Sequence, residues 1–160
     1  MSYQRDDIVI DNNSTDSSVT GTLTNTSLYS KLIKANTFKS TDMFMIDAVF
    51  RKVGTAGNVK YGIYTNTSNT LSGATQVAGV SFANTVLFAL IRRTFGFKSA
   101  TTMEEVALAG SNTYELSSSA AAVLVTTFDP TVDMYILFSS QLSNTGDTST
   151  FSSANITLQR

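Results

Sequence analysis

Cysteine, histidine and tryptophan are absent from this chain, and proline occurs once. Without cysteine there is no disulfide, no thiol nucleophile and no thiolate-held zinc. Without histidine the commonest general base and the commonest transition-metal ligand are missing. Neither a Ser-His-Asp nor a Cys-His site can be built from this chain alone. Charge is also scarce: charged residues make up 14% of the chain, where about 25% is usual. The net charge of −1 supplies no basic stripe, so no nucleic-acid partner is expected. No run of 18 apolar residues occurs, so no membrane-spanning helix is expected. The opening Met1–Asp7 has no apolar core of the kind a secretory leader needs. Stability must therefore come from packing or from partner chains.

The 160 residues, 42% of them hydrophobic, suit one domain with a sizeable core. Serine, threonine and asparagine stand where charges usually do, so hydroxyls and amides keep the surface wet. Apolar and polar residues alternate with period two at many places, the pattern of half-buried strands. Residues 18–24 put Val19, Gly21 and Leu23 on one side, and 27–34 put Leu28, Ser30 and Leu32 on one side. Residues 43–53 set Phe44, Ile46, Ala48 and Phe50 against Met43, Met45, Asp47, Val49 and Arg51. Residues 58–65 align Val59, Tyr61 and Ile63, and further strand patterns run through 76–82, 85–98, 122–128, 133–142 and 154–160. Clusters of Asn, Ser, Thr and Gly separate them, and Pro130 marks a corner. Many short strands with frequent turns predict an all-β, two-sheet antiparallel β-sandwich. At most one short helix is expected, over 100–110. There Thr101 or Thr102 can cap, Glu104 and Glu105 fill the first turn and Gly110 ends it; strand and loop remain open. Residues 1–16 read as a polar arm and 17–160 as a single domain.

Two stretches, 86–91 and 134–138, are apolar on both faces and need cover on both. A loop or short helix would supply it. A neighbouring subunit is favoured, which makes Phe88, Phe95, Tyr135 and Phe138 candidate interface residues. Arg92 and Arg93 point to opposite faces of their strand. The one on the apolar face can pair with a carboxylate across a subunit boundary.

The stretch Gly54-Thr55-Ala56-Gly57 invites comparison with a phosphate-binding loop. It lacks the Lys-Ser/Thr that such a loop requires, and a strand pattern, not a helix, follows it. A hairpin turn between strands 43–53 and 59–65 is expected instead. Adjacent acidic pairs at Asp6-Asp7 and Glu104-Glu105 point apart and read as solvated, not catalytic. Asp11, Asn13 and Asp16 offer oxygens, but Asp16 and Thr22 stand where a calcium loop needs glycine and glutamate. No metal and no cofactor are expected. Asn-x-Ser/Thr triplets, as at Asn66, arise by chance in so Asn-rich a chain. The loop after 65 gathers aromatics and amides, so Tyr64, Asn66, Ser68 and Asn69 are candidate sugar contacts. The plainer alternative, with Tyr61 in the core and the loop a mere connection, carries more weight.

The stretch "SLYSKLIKANTFKSTDMFMIDAVFRKVGTAGNVKYGIYTNTSNTLSGATQVA" resembles a jelly-roll module of tailed-bacteriophage fibre and appendage proteins. The ending "FDPTVDMYILFSSQLSNTGDTSTFSSANITLQR" is similar to that family's closing strands, so the resemblance covers residues 18–160. Asn36, Asp42, Gly54, Gly57, Asn66 and Thr67-Ser68 fit the family pattern, and Lys34 stands where proline is frequent. The resemblance implies a sandwich of jelly-roll type, often trimeric, displayed on a virion and without enzymatic activity. It implies a head-fibre, capsid-decoration or tail-appendage subunit, assembled in the bacterial host cytoplasm as a homotrimer. Other virion proteins would then be met through the arm, at Asp6, Asp7, Ile8 and Ile10. The alternative is a module that binds a host-surface glycan. An esterase or glycosidase domain is a third reading, opposed by the missing histidine and the absence of a clear carboxylate pair.

Overall fold

The computed structural model describes residues 7–106 and 123–159, and their regular structure is all β-strand. The strands are β1 (Asp7–Asn13), β2 (Ser17–Thr20), β3 (Thr26–Ile33), β4 (Met43–Val53), β5 (Val59–Asn66), β6 (Thr75–Phe82), β7 (Phe88–Phe97), β8 (Thr102–Val106), β9 (Val123–Thr127), β10 (Met134–Leu142) and β11 (Thr148–Gln159). They form two antiparallel sheets. The larger runs β1-β11-β4-β7-β8-β9 with β2 also on β11, and the smaller runs β3-β10-β5-β6.

The pairings nest. β5 pairs β6, β4 pairs β7, β3 pairs β10, and β1 and β2 pair β11. Successive pairs alternate between the small and the large sheet, so the chain is one long hairpin rolled into a sandwich. That winding is a jelly roll. β8 and β9, inserted between β7 and β10, widen the large sheet.

Period-two patterning decides which face is dry. On β4, Phe44, Ile46, Ala48 and Phe50 are buried, while Met43 and Val53 face outward. β11 meets them with Leu158, Ile156, Ala154 and Phe151, all buried. Aromatic rings join the layers: Phe50 stacks on Tyr61 at 4.3 Å, and Tyr29 on Phe151 at 5.0 Å. Phe38, Phe44, Phe95, Phe97 and Phe128 form a second aromatic group, with Phe38 and Phe44 stacked at 4.7 Å.

Several expectations change. Residues 54–58 do not close a hairpin, because β4 and β5 lie in different sheets. The turn is an arch over the core, which lets Phe50 and Tyr61 face each other across the sandwich. The candidate helix over 100–110 is strand β8 from Thr102 to Val106, antiparallel to both β7 and β9; residues 107–110 lie outside the described residues. Cross-strand pairing, along its whole length with β9 and at Met103 and Glu104 with β7, serves its backbone in place of helical bonds. The arm expected over 1–16 is, from Asp7, an edge strand: β1 pairs with β11 from Asp7↔Gln159 to Asn13↔Ala154. Asp6 lies outside the described residues, Ile8 is exposed, and Ile10 packs against the core. On β3 Tyr29 and Ile33 face inward and Leu32 faces the other way, while Leu28, at the bulge where the register with β10 shifts, is also buried in the core, so Leu28 and Leu32 do not share a face. Phe95 and Phe138 are fully buried inside this chain, so they are core residues and not subunit contacts.

Candidate functional site

The glycine turn does hold an anion, and the anion belongs to the chain. The Asp147 carboxylate accepts the amide N–H of Gly57 at 2.9 Å and that of Ala56 at 3.3 Å. The Lys52 ammonium lies 3.0 Å from it, and both side chains are sealed from solvent. Lys52 Nζ also donates to the carbonyls of Gly54 at 2.6 Å and Asn84 at 3.0 Å. Gly54 sits at φ 94°, and a Cβ there would come 2.2 Å from Asp147 Oδ1. Only glycine permits both the left-handed backbone and the approach. Burial pushes the Asp147 pKa up, but the Lys52 contact and the two amides outweigh it and hold it below the ordinary carboxylate value. The arrangement is a closed staple, filled by its own carboxylate.

The loop between β5 and β6 is closed by Asn66. Its side-chain amide donates to the carbonyls of Thr70 at 2.8 Å and Ser72 at 3.1 Å. Asn66 is therefore a loop-forming residue. Ser68 is exposed, and its carbonyl accepts the Thr70 amide at 2.8 Å. Asn69 is exposed and borders a shallow depression of about 450 Å³ with residues 27–30 of β3. Tyr64 is set apart from these three, on the outward face of β5.

That outward face of the small sheet has an unusual floor. Ser139, Gly62 and Gly79 lie side by side across β10, β5 and β6. On one side runs the row Leu137–Tyr64–Gln76, and on the other Gln141–Lys60–Ser81. The Tyr64 ring leans over Gly62: a Cβ there would lie 2.5 Å from its Cε2. The Gln76 amide leans over Gly79, where a Cβ would lie 1.9 Å from its nitrogen. Tyr64 Oη accepts from Asn25 Nδ2 at 3.1 Å and donates to Gln76 Oε1 at 3.4 Å. Gln76 Nε2 donates to the Ala78 carbonyl at 3.2 Å. Beyond the second row a depression of about 410 Å³ continues between Leu23, Lys60, Ser81 and Gln141.

The outward face of the large sheet is different in kind. Val49 and Leu90 are cross-strand partners, as are Arg51 and Phe88, and Val53 extends the patch at the end of β4. Phe88 is 60% exposed and Val53 70% exposed, with Leu87 and Leu90 also exposed. Every other phenylalanine lies in the core or against it. Tyr135 is half-buried on the outward face of the small sheet, so it shares no surface with Phe88. Charge pairs flank the patch: Arg92 grips Asp47 through two bonds of 2.6 and 3.1 Å, and Arg51 bonds Asp16. Arg93 turns inward and is buried within this chain, donating to the Arg92 carbonyl at 2.8 Å. Carboxylates elsewhere are likewise engaged: Asp11 takes Tyr29 and Lys31, and Asp133 takes Lys34 and the Ala35 amide. Among the described residues no three acidic side chains converge as a metal cage.

No family model matches the chain, and no curated protein matches it. Among solved structures it is similar to the CBM2 module of Lactobacillus casei BL23 phage J-1 evolved Dit. The identity is 9% and the TM-score 0.41, over 80% of this chain and 67% of that one. A likeness this distant carries nothing about ligand or partner.

Proposed function

We propose that the chain is a non-enzymatic structural subunit of a tailed-phage virion surface that associates with copies of itself. The observation that carries the self-association is Phe88, set with Leu90 and Val53 on the open face of β7 and β4. Removing such a patch from water yields about 25 cal/mol per Å² of apolar area. The virion setting is supported by the resemblance of residues 18–160, whose marker residues have structural work. Asn36 adopts φ 64° and donates its amide to the Pro130 carbonyl. Asp42 accepts the Lys39 amide at 2.9 Å, and Gly57 admits the close approach of Asn144. The non-enzymatic reading is supported by carboxylates already committed to cations, amides and hydroxyls. Three copies is the assembly the resemblance favours, with a capsid or fibre base as the other partner.

Light scattering on the purified protein tests the assembly. The expected mass is three times 17.2 kDa, and Phe88→Ser is expected to release folded monomers whose melt no longer depends on protein concentration. A clean monomer at micromolar concentration removes the self-association reading.

A further inference from the structure

We infer that the outward face of the small sheet is a saccharide-binding platform centred on Tyr64. Side chains on a strand normally stand away from the sheet. Here the floor row Ser139–Gly62–Gly79 is too small to hold neighbours upright, so the Tyr64 ring and the Gln76 amide lie down across it. Their posture is fixed in advance. Asn25 donates to Tyr64, Tyr64 to Gln76, and Gln76 to the Ala78 carbonyl. An aromatic ring held against a sheet offers a surface to the C–H face of a hexose. The amides of Gln76 and Asn25 beside it suit the ring hydroxyls, and Lys60 and Ser81 edge the far side. Preorganisation of this kind lowers the ordering cost of binding.

The chemistry favours a neutral sugar over the alternatives. One lysine on this face, Lys60, provides too little charge for a polyanion. The face lacks a large exposed apolar cluster, which distinguishes it from the Phe88 patch and from a protein-docking surface. The adjoining depression of about 410 Å³ between Leu23, Lys60 and Gln141 extends the platform beyond one sugar unit. An oligosaccharide therefore fits better than a free monosaccharide. The site is complete within one chain, so it stands apart from the self-association reading.

The test is calorimetric titration of the full chain with soluble neutral hexose oligosaccharides, preceded by a glycan array. Binding is expected for at least one such glycan. Tyr64→Ala is expected to weaken it by about tenfold or more, and Tyr64→Phe much less, because the stacking surface remains. Gly79→Ala provides a variant that folds. Gly79 is exposed, and its new methyl meets only the movable end of Gln76. It is expected to displace that amide and weaken binding with an unchanged melt. Phe88→Ser is expected to bind as wild type does. Absence of binding to every neutral glycan at millimolar concentration overturns the inference. So does wild-type affinity in both Tyr64→Ala and Gly79→Ala, or loss of binding in Phe88→Ser.

Discussion

At the residue scale, Lys52, Gly54 and Asp147 show how a sequence signal changes meaning once its partner is placed. The alternation Phe44, Ile46, Ala48, Phe50 runs on to position 52, so a lysine on the dry side was readable from the pattern. Its counter-ion was not, because Asp147 sits in a polar loop before β11 that has no periodicity to read. The glycines drew attention for their spacing, and they do present amides to an oxyanion. A buried ion pair broken on one side leaves a stranded charge, which costs more than the intact pair contributes. Lys52→Met is therefore expected to lower the melting temperature by many degrees. Lys34→Met, whose pair with Asp133 is largely exposed, should leave it within about a degree. Gly54→Ala should behave like Lys52→Met, since its methyl would displace the Asp147 carboxylate. Differential scanning calorimetry of the three variants checks the ranking. Equal melts for Lys52→Met and Lys34→Met would contradict it.

At the element scale, strand positions were legible and strand partners were not. Period two marks a strand and its faces but says nothing of which strand lies beside it. Residues 43–53 and 59–65 look like a hairpin because a glycine turn joins them. Only the inward stacking of Phe50 on Tyr61 shows that they belong to opposite layers. β8 is ambiguous in the sequence, where strand stays open beside a helix, because Thr-Thr-Met-Glu-Glu carries helix-capping chemistry. Cross-strand bonds to β7 and β9 override that local preference. β1 was misread because its residues are polar. An edge strand needs few apolar contacts when its ladder is satisfied, and Asp11 adds bonds to Tyr29 and Lys31. The candidate site suffered from the same gap. Tyr64 was singled out with the loop that follows it, whereas its working neighbours Gln76, Asn25 and Gly79 come from β6 and the segment before β3. A chain beginning at Ser17 would lack β1 and leave residues 154–159 of β11 as an open edge. Open edges invite pairing with other chains. That truncation is expected to melt at lower temperature and to aggregate on concentration, as followed by light scattering. Retention of the full-length melt would mean that β1 is dispensable to the sheet.

At the scale of the whole molecule, the scarcity of charge and the absence of histidine shape the response to pH. No histidine or cysteine side chain is present to titrate in the middle range, so stability should be nearly flat across it. The acid limb belongs to carboxylates whose folded pKa lies below the unfolded value. Asp147 is the buried one, while Asp129 and Asp133, shifted the same way by Thr131 and by Lys34 with the Ala35 amide, are exposed and count for less. A depressed pKa stabilises above the unfolded value, about 3.9, and that contribution fades as pH falls toward the folded value. The alkaline limb belongs to Tyr61 and Tyr29. Burial pushes Tyr61 up to about 12, against a small opposing effect of the Ser149 hydrogen bond. Burial, then the Asp11 hydrogen bond and charge, push Tyr29 higher still. Unfolding lets both ionise near their ordinary value, about 10, so the folded state loses ground as pH rises past it. Melting temperature against pH should therefore form a plateau that falls below about pH 4 and again above about pH 10. Asp147→Asn should flatten the acid limb on an already lowered plateau. Ultraviolet titration should show Tyr61 and Tyr29 ionising together with unfolding. Early, independent ionisation of all six tyrosines would break the link between the sandwich core and the alkaline limb.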